Sequence, residues 1–229
     1  MSAAILIDGA YFIKRFRKIE PHNAYNSRRI ADMAFRYALM HLTDRSAKLS
    51  LYRIFFYDCP PVEKKMHNPI SGKAVNFGAS KEALFRRELH EQLKRKRKLA
   101  LRLGTLAHAD WAFKPAVESQ LLKGKKSFEN ITDTDVALDV RQKGVDMRIG
   151  LDIASLTFKK QVSKIILMAG DADFVPAAKL ARREGIDFVL DPMRQTIPSD
   201  LNEHIDGLRS VCAKPPKLRA INAADTQTC

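Results

Sequence analysis

The sequence predicts an α/β fold, with a central, mostly parallel sheet covered on both faces by helices. Three observations carry that prediction. Runs such as Ala3 to Ile7 and Ile165 to Met168 are apolar at every position, the pattern of strands buried on both faces. Segments of helical character follow them, so strands and helices alternate along the chain. Finally, strand after strand ends in an aspartate: Asp8, Asp58, Asp171 and Asp191. In open α/β sheets the carboxyl edge is where ligands bind.

A chain of 229 residues can bury a full core. We expect one domain over 1–212, interrupted by a basic helical and loop insertion at about 60–130, and a basic, disordered tail over 213–229 that begins Lys214-Pro215-Pro216-Lys217. The formal charge of +14, from 40 Lys and Arg, favours polyanionic partners, nucleic acid before an acidic membrane surface. Cys59, Cys212 and Cys229 lie far apart and form no C-x-x-C pair, which predicts a reducing compartment and no zinc site. No apolar run approaches a membrane span and the amino terminus lacks a leader pattern, so a cytoplasmic location is expected.

Taken in order, the first strand ends at Asp8-Gly9, and Tyr11 to Arg17 interleaves rings with cations. Lys14, Arg15 and Arg17 could meet phosphates there, although such a segment equally packs a helix on the sheet with its cations in water. Ser27 is the expected N-cap of a helix reaching about Leu42. Leu51 to Tyr57 is a ring-rich strand ending at Asp58, and Cys59-Pro60-Pro61 stops it. No period runs through Val62 to Ala79, and Asn68-Pro69 and Ser71-Gly72 are turn chemistry, so a loop is predicted. Ser80 to Lys98 is amphipathic, with Leu84, Phe85, Leu89 and Leu93 as its stripe. It closes on Lys94-Arg95-Lys96-Arg97-Lys98, and five cations in a row exceed what a helix dipole needs, which suggests a ridge that contacts phosphates.

Leu99 to Phe113 alternates as a strand or hairpin, and polar, basic Lys114 to Asn130 is expected to be an exposed loop. Val136, Leu138 and Val140 alternate again, Gly144 ends that segment, and a helix starts near Asp146. Val145, Ile149, Asp152 and Leu156 share one face of it, so Asp152 interrupts an apolar stripe and needs a partner for its charge. Lys164 to Met168 is the next buried strand. Ala169-Gly170 delivers Asp171 and Asp173 into the turn before a helix over Phe174 to Glu184. One cap needs one Asp, and two carboxylates together repel in a way a divalent cation would relieve. Gly185, a strand over Ile186 to Leu190, Asp191-Pro192 and a short helix over Ser199 to Leu208 complete the body.

Three pieces of sequence carry a resemblance: Ile5-Leu6-Ile7-Asp8-Gly9, Lys143-Gly144-Val145-Asp146 with Asp152 on the same helix, and Gly170-Asp171-Ala172-Asp173-Phe174. In this order they resemble the NYN domain family of PIN-like Rossmannoid ribonucleases, over the first strand and from about Arg141 to Leu208; about Pro60 to Asn130 matches nothing recognisable. The resemblance implies a PIN-like Rossmannoid three-layer sandwich. It also implies a metal-dependent nuclease, a hydrolase whose acids hold Mg²⁺ or Mn²⁺ and activate water against an RNA phosphodiester. By position, Asp8, Asp146 and Asp171 would be catalytic metal ligands, with Asp173 beside them. Asp58 and Asp152 would be supporting acids, and Lys143 would orient an acid or bind phosphate. Hard oxygen ligands suit that metal chemistry.

The expected partner is single-stranded or structured RNA, with no membrane and with self-association left open. A non-catalytic RNA-binding regulatory module on the same fold is the alternative, but such a module should have lost one of Asp8, Asp146 or Asp171, and all three are present. A different Rossmannoid phosphohydrolase or nucleotide-binding protein is disfavoured by the absence of G-x-G-x-x-G, of G-x-x-x-x-G-K-[ST] and of Asp-x-Asp on the first strand.

Overall fold

The computed structural model describes residues 1–43 and 49–216. The chain opens with β1 (Ser2–Asp8), α1 (Gly9–Ile19), α2 (Ser27–Met40) and β2 (Ser50–Asp58). A small hairpin of β3 (Lys65–His67) and β4 (Ala74–Asn76) leads to α3 (Lys81–Lys94), β5 (Leu99–Leu103) and β6 (Thr105–Phe113). Then come α4 (Pro115–Leu122), β7 (Val136–Lys143), α5 (Val145–Phe158) and β8 (Lys164–Met168). The body closes with α6 (Val175–Arg183), β9 (Asp187–Leu190), α7 (Ser199–Glu203) and β10 (Gly207–Leu208).

Six strands form one parallel sheet in the order β10-β9-β8-β1-β2-β5. The chain winds outward from β1 through β2 to β5, then crosses to β8 and winds the other way. The switch in direction therefore lies between β1 and β8, the place where doubly wound sheets open a crevice at their carboxyl ends. Burial on both faces is the reason these strands are apolar throughout. Ala3, Ile5 and Ile7 of β1 pack with Phe12, Phe16, Ile30 and Leu89 of α1, α2 and α3. Ala4 and Leu6 face the other way, into Ile149, Ile153 and Ala178 of α5 and α6. This is the three-layer sandwich. No helix among the described residues is long and apolar enough to cross a membrane.

Several expectations need correction. The N-cap of α2 is Asn26, whose side chain accepts from Arg29 N at 2.9 Å, and Ser27 is the first helical residue. The segment 62–79 holds the β3–β4 hairpin, whose three-residue strands are too short to show a period. Pro115 sits in the first turn of α4, inside the stretch expected to be a loop. Leu84 is 53% exposed and does not belong to the buried stripe of α3, which ends at Lys94. β5 and β6 do not pair: β5 joins the main sheet beside β2, and β6 pairs with β7 in a separate antiparallel ribbon. Much of the expected insertion is thus core, since α3 and β5 both belong to the main layers. The last helix stops at Glu203, and Gly207–Leu208 adds an edge strand. Residues 217–229 of the expected tail lie outside the described residues.

Candidate active site

β1 ends at Asp8 in register with Tyr57 of β2, and Ile7 is level with Met168 of β8. Asp8 is therefore carried to the carboxyl edge at the switch point, with Asp171 three residues beyond the end of β8. Gly9 is required there: a Cβ on it would lie 2.4 Å from Tyr57 O and 2.5 Å from the Phe56 ring. Gly170 is required for a similar reason, since its Cβ would lie 2.6 Å from the Tyr11 ring. Tyr11 is fixed by a 2.7 Å hydrogen bond from its hydroxyl to Pro192 O. Asp146 arrives from the third direction, in the first turn of α5, which packs on β1 and β2 and touches the 172–174 turn.

Two of the four acids have a defined job for one oxygen. Asp8 caps α1, accepting from Tyr11 N at 3.1 Å through Oδ1, and Asp171 caps the 172–174 turn, accepting from Asp173 N at 3.2 Å through Oδ1. Among the described residues, none of Asp8, Asp146, Asp171 and Asp173 has a basic partner within ion-pair distance. Their charges instead oppose one another. Burial, followed by the charges of Asp146 and Asp58 and against the pull of backbone amides, raises Asp8 from 3.8 to about 6. Asp146 is raised by partial desolvation and then by Asp171 and Asp173. Asp8 and Asp146 thus feel acidic neighbours, and none of the four is neutralised by an ion pair among the described residues.

The other strand-end acids are in a different condition. Asp58 is 1% exposed and spends both oxygens, one on the Arg86 guanidinium and the other on His90 Nε2 at 2.8 Å. Arg86 also bonds Glu82 at 3.0 Å, and Glu82 accepts from Arg17 at 2.7 Å. Asp191 is fully buried against His41 Nε2 at 2.8 Å and Met193 N at 2.7 Å. Asp152 accepts from the Tyr57 hydroxyl at 2.7 Å and lies 3.3 Å from Arg102 Nε, so the break it makes in the apolar stripe is satisfied. Sequence reasoning missed Arg86 and His90. They stand one helical turn apart beside the buried stripe of α3, a spacing that could have marked a buried acid as their partner.

The predicted cationic residues are dispersed. Arg15 is 6% exposed and donates to Met193 O, while Arg17 stacks on Tyr25 and Phe85 at 4.5 and 5.0 Å; of that group Lys14 is exposed. The run at Lys94–Lys98 sits beside the start of β5, four residue steps, roughly 13 Å, from that strand's carboxyl end. Lys94 pairs with Glu91, Lys96 with Asp32, and Lys98 donates to Leu51 O, which leaves Arg95 and Arg97 without a described ion-pair partner. Lys143 is exposed at the end of β7.

The donor set fits a hard divalent cation. No three of the four edge acids have ligand oxygens within 4.8 Å of one another; among the described residues that closeness is found at Asp200 and Glu203 of α7 with His204, which follows it. Mg²⁺ does not require it, because it keeps several waters and is held by one or two carboxylates together with substrate phosphates.

Residues 74–206 match the NYN domain family model, which takes in Asp146, Asp171 and Asp173 and leaves Asp8 and Asp58 before its start. The match also covers most of the middle segment for which no resemblance was recognisable. No curated protein matches the chain. A solved structure of a protein of unknown function from Vibrio parahaemolyticus is similar at 13% identity, over 92% of this chain and 93% of that one, with a TM-score of 0.47. The chain belongs to the NYN domain family, whose members are typically nucleases.

Proposed function

We propose that this protein is a divalent-metal-dependent ribonuclease whose working groups are Asp8, Asp146, Asp171 and Asp173. The observation that supports this most is the division of the acids. Those with a structural role, Asp58, Asp152 and Asp191, each have cationic, imidazole or hydroxyl partners, while the four at the switch point have none among the described residues, and the pKa values of Asp8 and Asp146 are raised by burial and then by neighbouring acids. The fold neutralises its other strand-end acids and leaves Asp8 and Asp146 with charges that burial and acidic neighbours disfavour, a cost that a cation would relieve. Mg²⁺ or Mn²⁺ bound there would supply Lewis acidity toward a phosphodiester oxygen and a more acidic water.

The chain's own groups then do the positioning. The Tyr11 and Asp173 amides hold Oδ1 of Asp8 and of Asp171, which sets the orientation of the two carboxylates. Asp146, on a different helix, is free to approach from the α5 side. Asp58, locked by Arg86 and His90, contributes negative charge to Asp8 and holds α3 against the end of β2. Its role is that of a positioning residue.

The test is cleavage of a labelled RNA by purified protein with Mn²⁺. Asp171→Asn should abolish cleavage while fold and RNA binding persist. Undiminished cleavage by the Asn variant, or in excess EDTA, would refute the assignment.

A further inference from the structure

A cavity of about 340 Å³ lies beside the acid edge and is used by none of the acids just described. Pro60, Pro61 and Phe77 line it together with Leu138 and Val140 of the β6–β7 ribbon. Polar groups meet its edge: the side chains of Arg86 and Glu82 at the start of α3, and Gln142 on the ribbon. The volume lies at the small end of ligand sites. A lining of one aromatic ring, branched aliphatics and the Gln142 amide, beside the Arg86–Glu82 pair, suits a flat heteroaromatic ring that carries hydrogen-bonding edges.

The cavity neighbours the proposed site through Cys59, which lines it and feels the charges of Asp58 and Asp146. A Cβ on Gly104 would lie 2.8 Å from Lys143 O, 2.9 Å from Val145 Cγ2 and 3.0 Å from Cys59 Sγ. Cys59 lines the cavity and Val145 precedes Asp146, so the cavity, the end of the ribbon and the start of α5 converge there. Exposed Lys143 and Arg148 flank Asp146 in sequence where the ribbon joins the helix, and offer positive charge for phosphates near it.

We propose that this cavity takes one unpaired nucleobase of an RNA strand whose adjacent phosphodiester lies at the acid edge. A base stacked and paired in a duplex cannot enter a slot of this kind without being extruded, so the protein would select single-stranded segments. The choice of ligand rests on the ribonuclease proposal; the measurement does not.

The protein's one tryptophan supplies the readout. Trp111 pairs directly with Leu138 across the ribbon, and its ring centroid is 5.5 Å from that of Phe77. In EDTA, where no cleavage occurs, a single-stranded RNA octamer is titrated and followed by Trp111 fluorescence and by anisotropy of a labelled strand. The same sequence in a blunt duplex is run beside it. We expect the single strand to change Trp111 emission and to bind more tightly than the duplex. Val140→Phe, which fills the cavity, should weaken single-strand binding about tenfold or more. It should leave the Mn²⁺-induced rise in melting temperature intact. Phe77→Leu, which removes the stacking face, is the second variant should Val140→Phe not fold, and should weaken binding in the same direction.

Equal binding of duplex and single strand with equal emission change would overturn the proposal, as would unaltered affinity in a folded cavity variant. If the variant binds as wild type while both cleave RNA, the cavity assignment fails and the nuclease stands. If the cavity variants lose binding but wild type never cleaves with Mn²⁺, the nuclease fails and the base site stands.

Discussion

Asp8→Asn separates the cost of the acid cluster from its use. The carboxyl of Asp8 titrates near 6 in the fold against an ordinary 3.8, raised chiefly by burial and then by Asp146. The folded state thus holds this proton more tightly than the unfolded chain does. Between about pH 4 and pH 6 the Asp8 contribution lowers stability as pH rises, and above that the loss is complete. At roughly 1.4 kcal/mol per pH unit, ionised Asp8 costs the metal-free protein at most about 3 kcal/mol at neutral pH. Asparagine retains the cap on α1 and removes the charge, although its amide must still be buried. A gain of about 1–2 kcal/mol, or roughly 3–6 °C in melting temperature for a protein of this size, is expected in EDTA at pH 7.5. The difference between variant and wild type should shrink toward pH 4, a comparison that removes the acid sensitivity of the other carboxylates. Mn²⁺ should invert the ranking. At a hundredfold excess over its Kd it stabilises a binding protein by about 2.7 kcal/mol, and the variant should receive little of this. An Asn variant that melts below wild type in EDTA, or gains as much from Mn²⁺, would refute the claim that Asp8 is held ionised at a cost for the sake of a cation.

The compensated acids should behave in the opposite way. Asp58→Ala leaves Arg86 and His90 buried without their partner and should cost about 3–5 kcal/mol in denaturant unfolding, with no gain at any pH. Tyr57→Phe removes the hydroxyl that donates to Asp152 and should cost about 1–2 kcal/mol while leaving Mn²⁺ stabilisation unchanged. Neutralising Arg95 and Arg97 together should leave the salt slope of RNA binding unchanged, whereas Lys143→Gln with Arg148→Gln should flatten it by about two phosphate contacts, read from log Kd against log salt.

Much of the fold was legible because a buried parallel strand writes itself locally. Ile5, Leu6 and Ile7, or Ile165, Leu167 and Met168, are apolar on both sides because each side meets a helix layer, and no distant residue need be known to see it. Weak local signals failed. Three-residue strands at Lys65–His67 and Ala74–Asn76 carry no period, and a two-residue strand at Gly207–Leu208 exists only because β9 offers it an edge. β5 and β6 share one alternating pattern, yet they part at Gly104, where a Cβ would lie 2.8 Å from Lys143 O, and one strand joins the sheet while the other joins the ribbon.

The sequence by itself determined that acids cluster at strand ends and that the chain is strongly basic. Only the tertiary structure decided which acids are uncompensated and which cations are free. Asp58 finds His90 thirty-two positions away and Asp191 finds His41 across 150, while Lys96 reaches back to Asp32. Strand and helix periods arise from the bonding of near neighbours along the backbone, so they can be read in order. Charge compensation in a buried site depends on which side chains lie within a few ångströms, and that is set by how the layers pack.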